Sequence, residues 1–157
     1  MLAQALQQLA EALRARCRRA VVVANVAPAV AGCDEGQRAA RIAHKDKDTV
    51  IEAAKAIREG RWLAWVQPLP EDIANDGEAR YHWRIDNWGT KWDIDGAGLL
   101  DSSGQYLDHE CDIEECVYKV GDDWVARFTF DTAWSPPVET YQHLSQNGWH
   151  VVAFYDE

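Results

Sequence analysis

Positive charge is scarce in this chain: 16 Lys and Arg stand against 26 Asp and Glu, a formal net charge of −10. A surface this acidic repels phosphate backbones, so direct nucleic-acid binding is disfavoured, while a basic protein would be attracted. Long apolar runs are missing too. The stretch AVVVANVAPAVAG, residues 20–32, has 13 residues and contains Pro28, too little to span a bilayer. At the amino end, Gln4, Gln7, Gln8 and Glu11 interrupt the leucines, and the arginines follow the apolar part, which is not a secretory pattern. A cytoplasmic protein without membrane attachment is expected. There is no glycine-rich phosphate loop, no G-x-S-x-G elbow and no H-E-x-x-H, so no catalytic residue and no cofactor is assigned. Internal repeats and low-complexity linkers are lacking as well.

Cysteine is sparse: Cys17, Cys33, Cys111 and Cys116. Without export, an even count does not imply a disulfide framework, and reduced thiols are expected. His109, Cys111 and Cys116 in DHECDIEEC carry zinc-ligand chemistry, but their C-x4-C spacing has no second Cys/His pair nearby, and Cys33 or His143 would have to complete the set. No metal is assigned. Asp93-x-Asp95-Gly96 looks like the opening of a calcium loop, yet Ser102, Ser103 and Gly104 stand where the bidentate Glu belongs.

What the chain has instead is tryptophan, eight in 157 residues, each with a large apolar surface and an N–H that wants a partner. Its charge is uneven. Residues 1–61 carry 11 Lys and Arg against 7 Asp and Glu, whereas residues 62–131 carry 5 against 16.

Leu2, Leu6, Leu9, Leu13 and Cys17 recur at helical spacing, so residues 2–19 read as a helix with arginines in its last turns. It would dock on the domain or on a second copy, giving a homodimer. From residue 38 a strand is expected around Ile42, then a helix capped by Asp46 or Asp48, bearing Val50, Ile51, Ala54 and Ile57 and stopped at Gly60. WLAWVQPLPEDI reads as extended up to Pro68 and Pro70, and YHWRIDNW as a strand with Tyr81, Trp83 and Ile85 on one face. CVYKVGDDWVARFTFD reads as a hairpin around Gly121-Asp122-Asp123, with Trp124, Ala126, Phe128 and Phe130 on one face. Ser135-Pro136-Pro137 starts a helix that buries Val138, Tyr141 and Leu144 and ends at Asn147-Gly148, and WHVVAFYDE is a closing strand.

The expected fold is thus α+β: a ferredoxin-like βαββαβ antiparallel sheet with two helices on one face and an N-terminal helical extension. Residues 1–37 would be the helix and irregular extension, and residues 38–157 the domain. Two tryptophan-bearing corners stand out. NWGTKWD, with Asn87, Trp88, Gly89, Lys91 and Trp92, would end the second strand; the other, Asp131 to Pro136 with Trp134 and Ser135, would join the third strand to the second helix. The two corners are expected to pack on one another and fix the sheet's edge.

LAWVQPLPE (63–71), WRIDNWGTKWD (83–93) and FDTAWSPPVE (130–139) together resemble the YubB-type ferredoxin-like domain family of phage and plasmid proteins, over residues 38–157. The resemblance implies the fold and an origin on bacterial mobile DNA. It brings no activity and no site residues. The segment 96–116, GAGLLDSSGQYLDHECDIEEC, is longer and more acidic than the resemblance leads one to expect.

For binding, Asp108, Glu110, Asp112, Glu114 and Glu115, followed by Asp122 and Asp123, could spread a row of carboxylates over a hairpin and occupy a basic groove on another protein. The reading is a non-enzymatic protein-binding module from a mobile element. Its rival is a small hydrolase or nucleotide-handling enzyme using His82, Arg84, Asp86, Arg127, Thr129 and His150 on one polar sheet face.

Overall fold

Alternation in AARIAH fixes the first long strand: Ala40 and Ile42 point into the core while Arg41 points away. The computed structural model describes residues 20–21, 39–133 and 136–154, so the helix expected at 2–19 lies outside the described residues. Besides a two-residue strand β1 (Ala20–Val21), the strands are β2 (Ala39–His44), β3 (Asp95–Leu100), β4 (Tyr118–Val120), β5 (Asp123–Asp131) and β6 (His150–Phe154). The helices are α1 (Lys47–Arg58), α2 (Trp62–Val66), α3 (Gly77–Trp88) and α4 (Val138–Gln146). The chain is α+β.

The sheet runs β1-β6-β2-β5-β3, every pairing antiparallel, and β4 shares the outer side of β5 with β3. Register builds the core row by row. Ala153, Ala40, Phe128 and Leu99 stand side by side on β6, β2, β5 and β3, and Val151, Ile42 and Ala126 form the next row. Against these rows pack Val50, Ile51, Ala53, Ala54 and Ile57 of α1, and Tyr141 and Leu144 of α4, in one apolar cluster. Trp62 sits at its centre. Its ring lies 4.9 Å from Phe128, 5.9 Å from Phe130 and 6.3 Å from Tyr141, and among the described residues its Nε1 has no hydrogen-bond partner.

Several expectations hold in detail. Asp46 caps α1: one carboxylate oxygen accepts the Asp48 N–H at 3.0 Å and the other the Thr49 hydroxyl at 2.9 Å. Asp123 follows the Gly121-Asp122 turn to open β5, and α4 begins after Pro137 and ends at Asn147.

Two elements differ from the expectation. WLAWV is helical, not extended, because its N-cap comes from far along the chain: Asp93 accepts the Leu63 and Ala64 N–H groups at 2.8 and 2.9 Å. YHWRIDNW is the body of α3, not a strand. Asp76 caps its start by accepting the Glu78 and Ala79 N–H groups, and Gly89 at φ +81° ends it by donating to the Arg84 and Ile85 carbonyls. The second long strand is therefore β3, within residues 95–100, part of what read as an insert. Among the described residues no helix is long and apolar enough to cross a membrane.

Candidate functional site

The NWGTKWD corner proves to be a clip, and nearly every residue in it has a structural task. The Asn87 Oδ1 accepts from Gln67 Nε2 at 3.0 Å, and its own amide donates to the Trp83 carbonyl at 2.8 Å. Trp88, buried, donates its indole N–H to the Gln67 carbonyl at 2.9 Å. Gly89 leaves no room for a side chain, since a Cβ there would run into the Glu139 carboxylate. Thr90, fully buried, donates to the Ala133 carbonyl at 3.2 Å, while Thr140 of α4 donates to the Trp88 carbonyl at 3.4 Å. Asp93 closes the set at the start of α2.

The two tryptophan-bearing corners do meet, through Thr90 and Ala133. What they join is the end of α3 to α4 and α2; Asn87 to Gly89 finish a helix, not a strand. Trp134 and Ser135 lie outside the described residues; Pro136 accepts the Val138 N–H at 2.8 Å. Asp131 ends β5 opposite Asp95. Trp92 is the exception in the clip: it is 53% exposed, with the Lys91 ammonium 5.6 Å from its ring centre.

Burial raises the Asp93 carboxyl above the usual carboxylate value, against the pull of the Ala64, Leu63 and Ile94 N–H groups and of Arg84. The protein keeps a carboxylate in a poor solvent there because three backbone donors need it. That is a structural use of an acid. Asp95 likewise turns inward to the Gly96 N–H at 2.8 Å.

Residues 101–117 connect β3 to β4 and carry the acidic run. Asp108, Glu110, Asp112, Glu114 and Glu115 are all exposed, and none of the five makes an ion pair among the described residues. Local turns hold the run in shape: Asp108 accepts the Glu110 N–H at 2.9 Å, and Asp112 accepts the Glu114 N–H at 3.2 Å at the head of the 3-10 turn Ile113–Cys116. The expected row along a hairpin is not what forms. The five precede the hairpin, and only Asp122 and Asp123 lie at its turn, Asp123 with His150 3.9 Å away.

At the start of the same loop stands Tyr106, 58% exposed and yet held. Its ring crosses β3 over Gly98, where a Cβ would come within 2.8 Å of it, and its hydroxyl is 3.2 Å from that of Thr129. A braced, exposed aromatic in the same loop as the acidic run is a feature that sequence reading missed. The signal available was the glycine at 98 in DGAGLL, a position where something must cross the strand.

The loop's other end carries a compact polar group. Cys111 and Cys116 approach to 2.9 Å between sulfurs, and Arg58 at the end of α1 donates to Cys116 Sγ at 2.9 Å, to Cys111 Sγ at 3.2 Å and to the Cys111 carbonyl at 2.8 Å. His109 is exposed and takes no part. Among the described residues no cluster of three or more His, Cys, Asp or Glu could hold a metal. Burial and the hydrogen bond shared with Cys111 push the Cys116 thiol up to about 12, outweighing the Arg58 charge.

The six residues of the polar sheet face do not come together. Arg127, Thr129 and His150 sit on strands with the parity opposite to Ala126, Phe128 and Val151, hence on the face away from the core rows. His82, Arg84 and Asp86 belong to α3, where His82 is 3.9 Å from Glu78 and Arg84 reaches the Lys91 carbonyl. With the helix in place of the strand, the acid–base set loses half its members. Comparison with family models, curated proteins and solved structures finds no match for this chain.

Proposed function

We propose that this chain is a non-enzymatic protein-binding module that recognises a basic partner through the 101–117 loop. One observation carries the reading: five exposed carboxylates, without ion pairs among the described residues, share a loop with a braced, exposed tyrosine. Carboxylates steer a basic partner, and a rigid aromatic supplies the apolar anchor around which interfaces concentrate their affinity. The net charge of −10 makes a nucleic acid a poor direct partner and a nucleic-acid-binding protein a good one.

The fold reading that accompanies this is ferredoxin-like. The order β6-β2-β5-β3 with antiparallel neighbours, and α1 and α4 as the crossover helices, supports it. The resemblance of NWGTKWD and TAWSPP to YubB-type domains adds an origin on phage or plasmid DNA and a bacterial cytoplasm as the place of action. A tagged chain, exposed to nuclease-treated bacterial lysate at low salt, should retain a basic protein. The combined variant Glu110→Gln, Asp112→Asn, Glu114→Gln, Glu115→Gln should release it while its far-UV spectrum stays unchanged. Equal retention by both forms would refute the assignment of the loop.

A further inference from the structure

The thiol pair at the end of α1 has no part in the binding reading; Cys116 belongs to the apolar core and Cys111 packs against it. A buried cysteine is ordinarily packed among apolar groups. Cys116 is fully buried, yet a guanidinium and a second sulfur touch it. Cys111 is partly exposed, so a small reagent can reach the pair from one side only. The sulfurs already touch, and the residues are joined by a short loop with its own 3-10 turn, so bond formation asks for a small approach and no rearrangement of the sheet.

We propose that Cys111 and Cys116 form a dithiol that takes up an intramolecular disulfide by exchange with a small-molecule disulfide of the glutathione class, with Arg58, which donates to both sulfurs, as the group that holds the pair in position. Accessibility sets the order of events. Cys111 gives its proton to solvent and attacks one sulfur of R–S–S–R; the S–S bond of the reagent breaks, and R–S⁻ leaves and takes a proton. Cys116, whose burial disfavours ionisation until a partner is at hand, then attacks the Cys111 sulfur of the mixed disulfide. It loses its proton to the departing R–S⁻, and the Cys111–Cys116 bond forms. Two protein thiols are oxidised, and one R–S–S–R is reduced to two R–SH.

The loop that would be closed contains Asp112, Glu114 and Glu115, so oxidation clamps part of the acidic run. The proposal stands without the binding reading, because its readout is covalent chemistry.

The test uses the full chain in a Cys17→Ser, Cys33→Ser background, reduced, desalted and then mixed with glutathione disulfide at neutral pH. Aliquots are quenched by alkylation and mapped by mass spectrometry. A Cys111–Cys116 link should accumulate with no persistent glutathione adduct. Cys116→Ser should trap glutathione on Cys111, and Cys111→Ser should leave Cys116 unmodified. Arg58→Gln should slow the first step, because the guanidinium that holds the Cys111 sulfur at 3.2 Å and its carbonyl at 2.8 Å is then gone. A wild-type-like chain that stays reduced, or that holds glutathione on Cys111 while Cys116 remains free, overturns the proposal. Should Arg58→Gln react as fast as its parent, the role given to Arg58 fails, and the far-UV spectrum of each variant shows that the comparison is between folded chains.

Discussion

Replacing Asp93 with alanine should weaken the fold more than any other surface-proximal acid does. The carboxylate accepts three backbone N–H groups, from Leu63, Ala64 and Ile94, at 2.8 to 2.9 Å. Removing it strips α2 of its cap, a loss of about 1 kcal/mol in typical helices. It also leaves partly buried donors without partners, at about 1–3 kcal/mol for each that water cannot reach. Against this, the variant no longer has to bury a carboxylate, a cost visible in the raised Asp93 carboxyl. A net loss of about 2 kcal/mol follows, and with a urea slope of about 2 kcal/mol/M the midpoint should fall by about 1 M. Asp95→Ala is the control, since Asp95 is exposed and, among the described residues, its side chain bonds the adjacent Gly96 N–H alone. Paired urea titrations followed by tryptophan fluorescence give both midpoints. If the two variants unfold together, Asp93 is not the cap that makes WLAWV helical, and the account of the clip is wrong.

Other outcomes follow from the same geometry. The Asp93→Ala penalty should shrink as pH rises: with the folded carboxyl raised above 3.8, the unfolded chain ionises first, so the stability Asp93 contributes falls from about pH 4 upward through the folded value. Urea midpoints of both forms at pH 4 and pH 7 check this, and a penalty that grows with pH would contradict it. Gly89→Ala should cost about 1–2 kcal/mol in the same titration, because the residue sits at φ +81° with Glu139 against it. Gly98→Val should displace Tyr106 from β3, raising the accessibility of its ring to iodination or nitration, while the core rows stay intact. Trp62→Ala should remove about 3–5 kcal/mol, the range for a large aromatic in a packed core.

Elements built from local signals were legible in the sequence. Asp46 with Val50, Ile51, Ala54 and Ile57 announces α1, and alternating Ala126, Phe128 and Phe130 announce β5. The misreadings have two physical causes. In YHWRIDNW, six or so alternating residues satisfy a strand and a helix equally well, and the decision lay in the flanks, Asp76 as N-cap and Gly89 as the left-handed stop. In WLAWV no local signal existed, because the cap, Asp93, arrives 30 residues later, and β-prone Trp and Val gave the opposite hint. The glycines of DGAGLL hid β3 for a related reason: one of them serves the tyrosine that crosses the strand. Of the site, the carboxylates could be read from composition. Their company could not, since Tyr106 and the Arg58 contact to the two sulfurs depend on long-range placement.

The chain's unusual residues divide between two places, the tryptophan corners that hold the fold and the 101–117 loop proposed to meet a partner. Trp92, the exposed member of the clip, makes the claim testable in one comparison. Quantitative capture from nuclease-treated lysate would be measured for the wild-type chain, for Trp92→Ala and for the variant with Glu110, Asp112, Glu114 and Glu115 neutralised. The account predicts the same basic protein on wild type and Trp92→Ala, and its loss from the neutralised loop. Capture that survives neutralisation and disappears with Trp92→Ala would contradict it and move the interface to the clip.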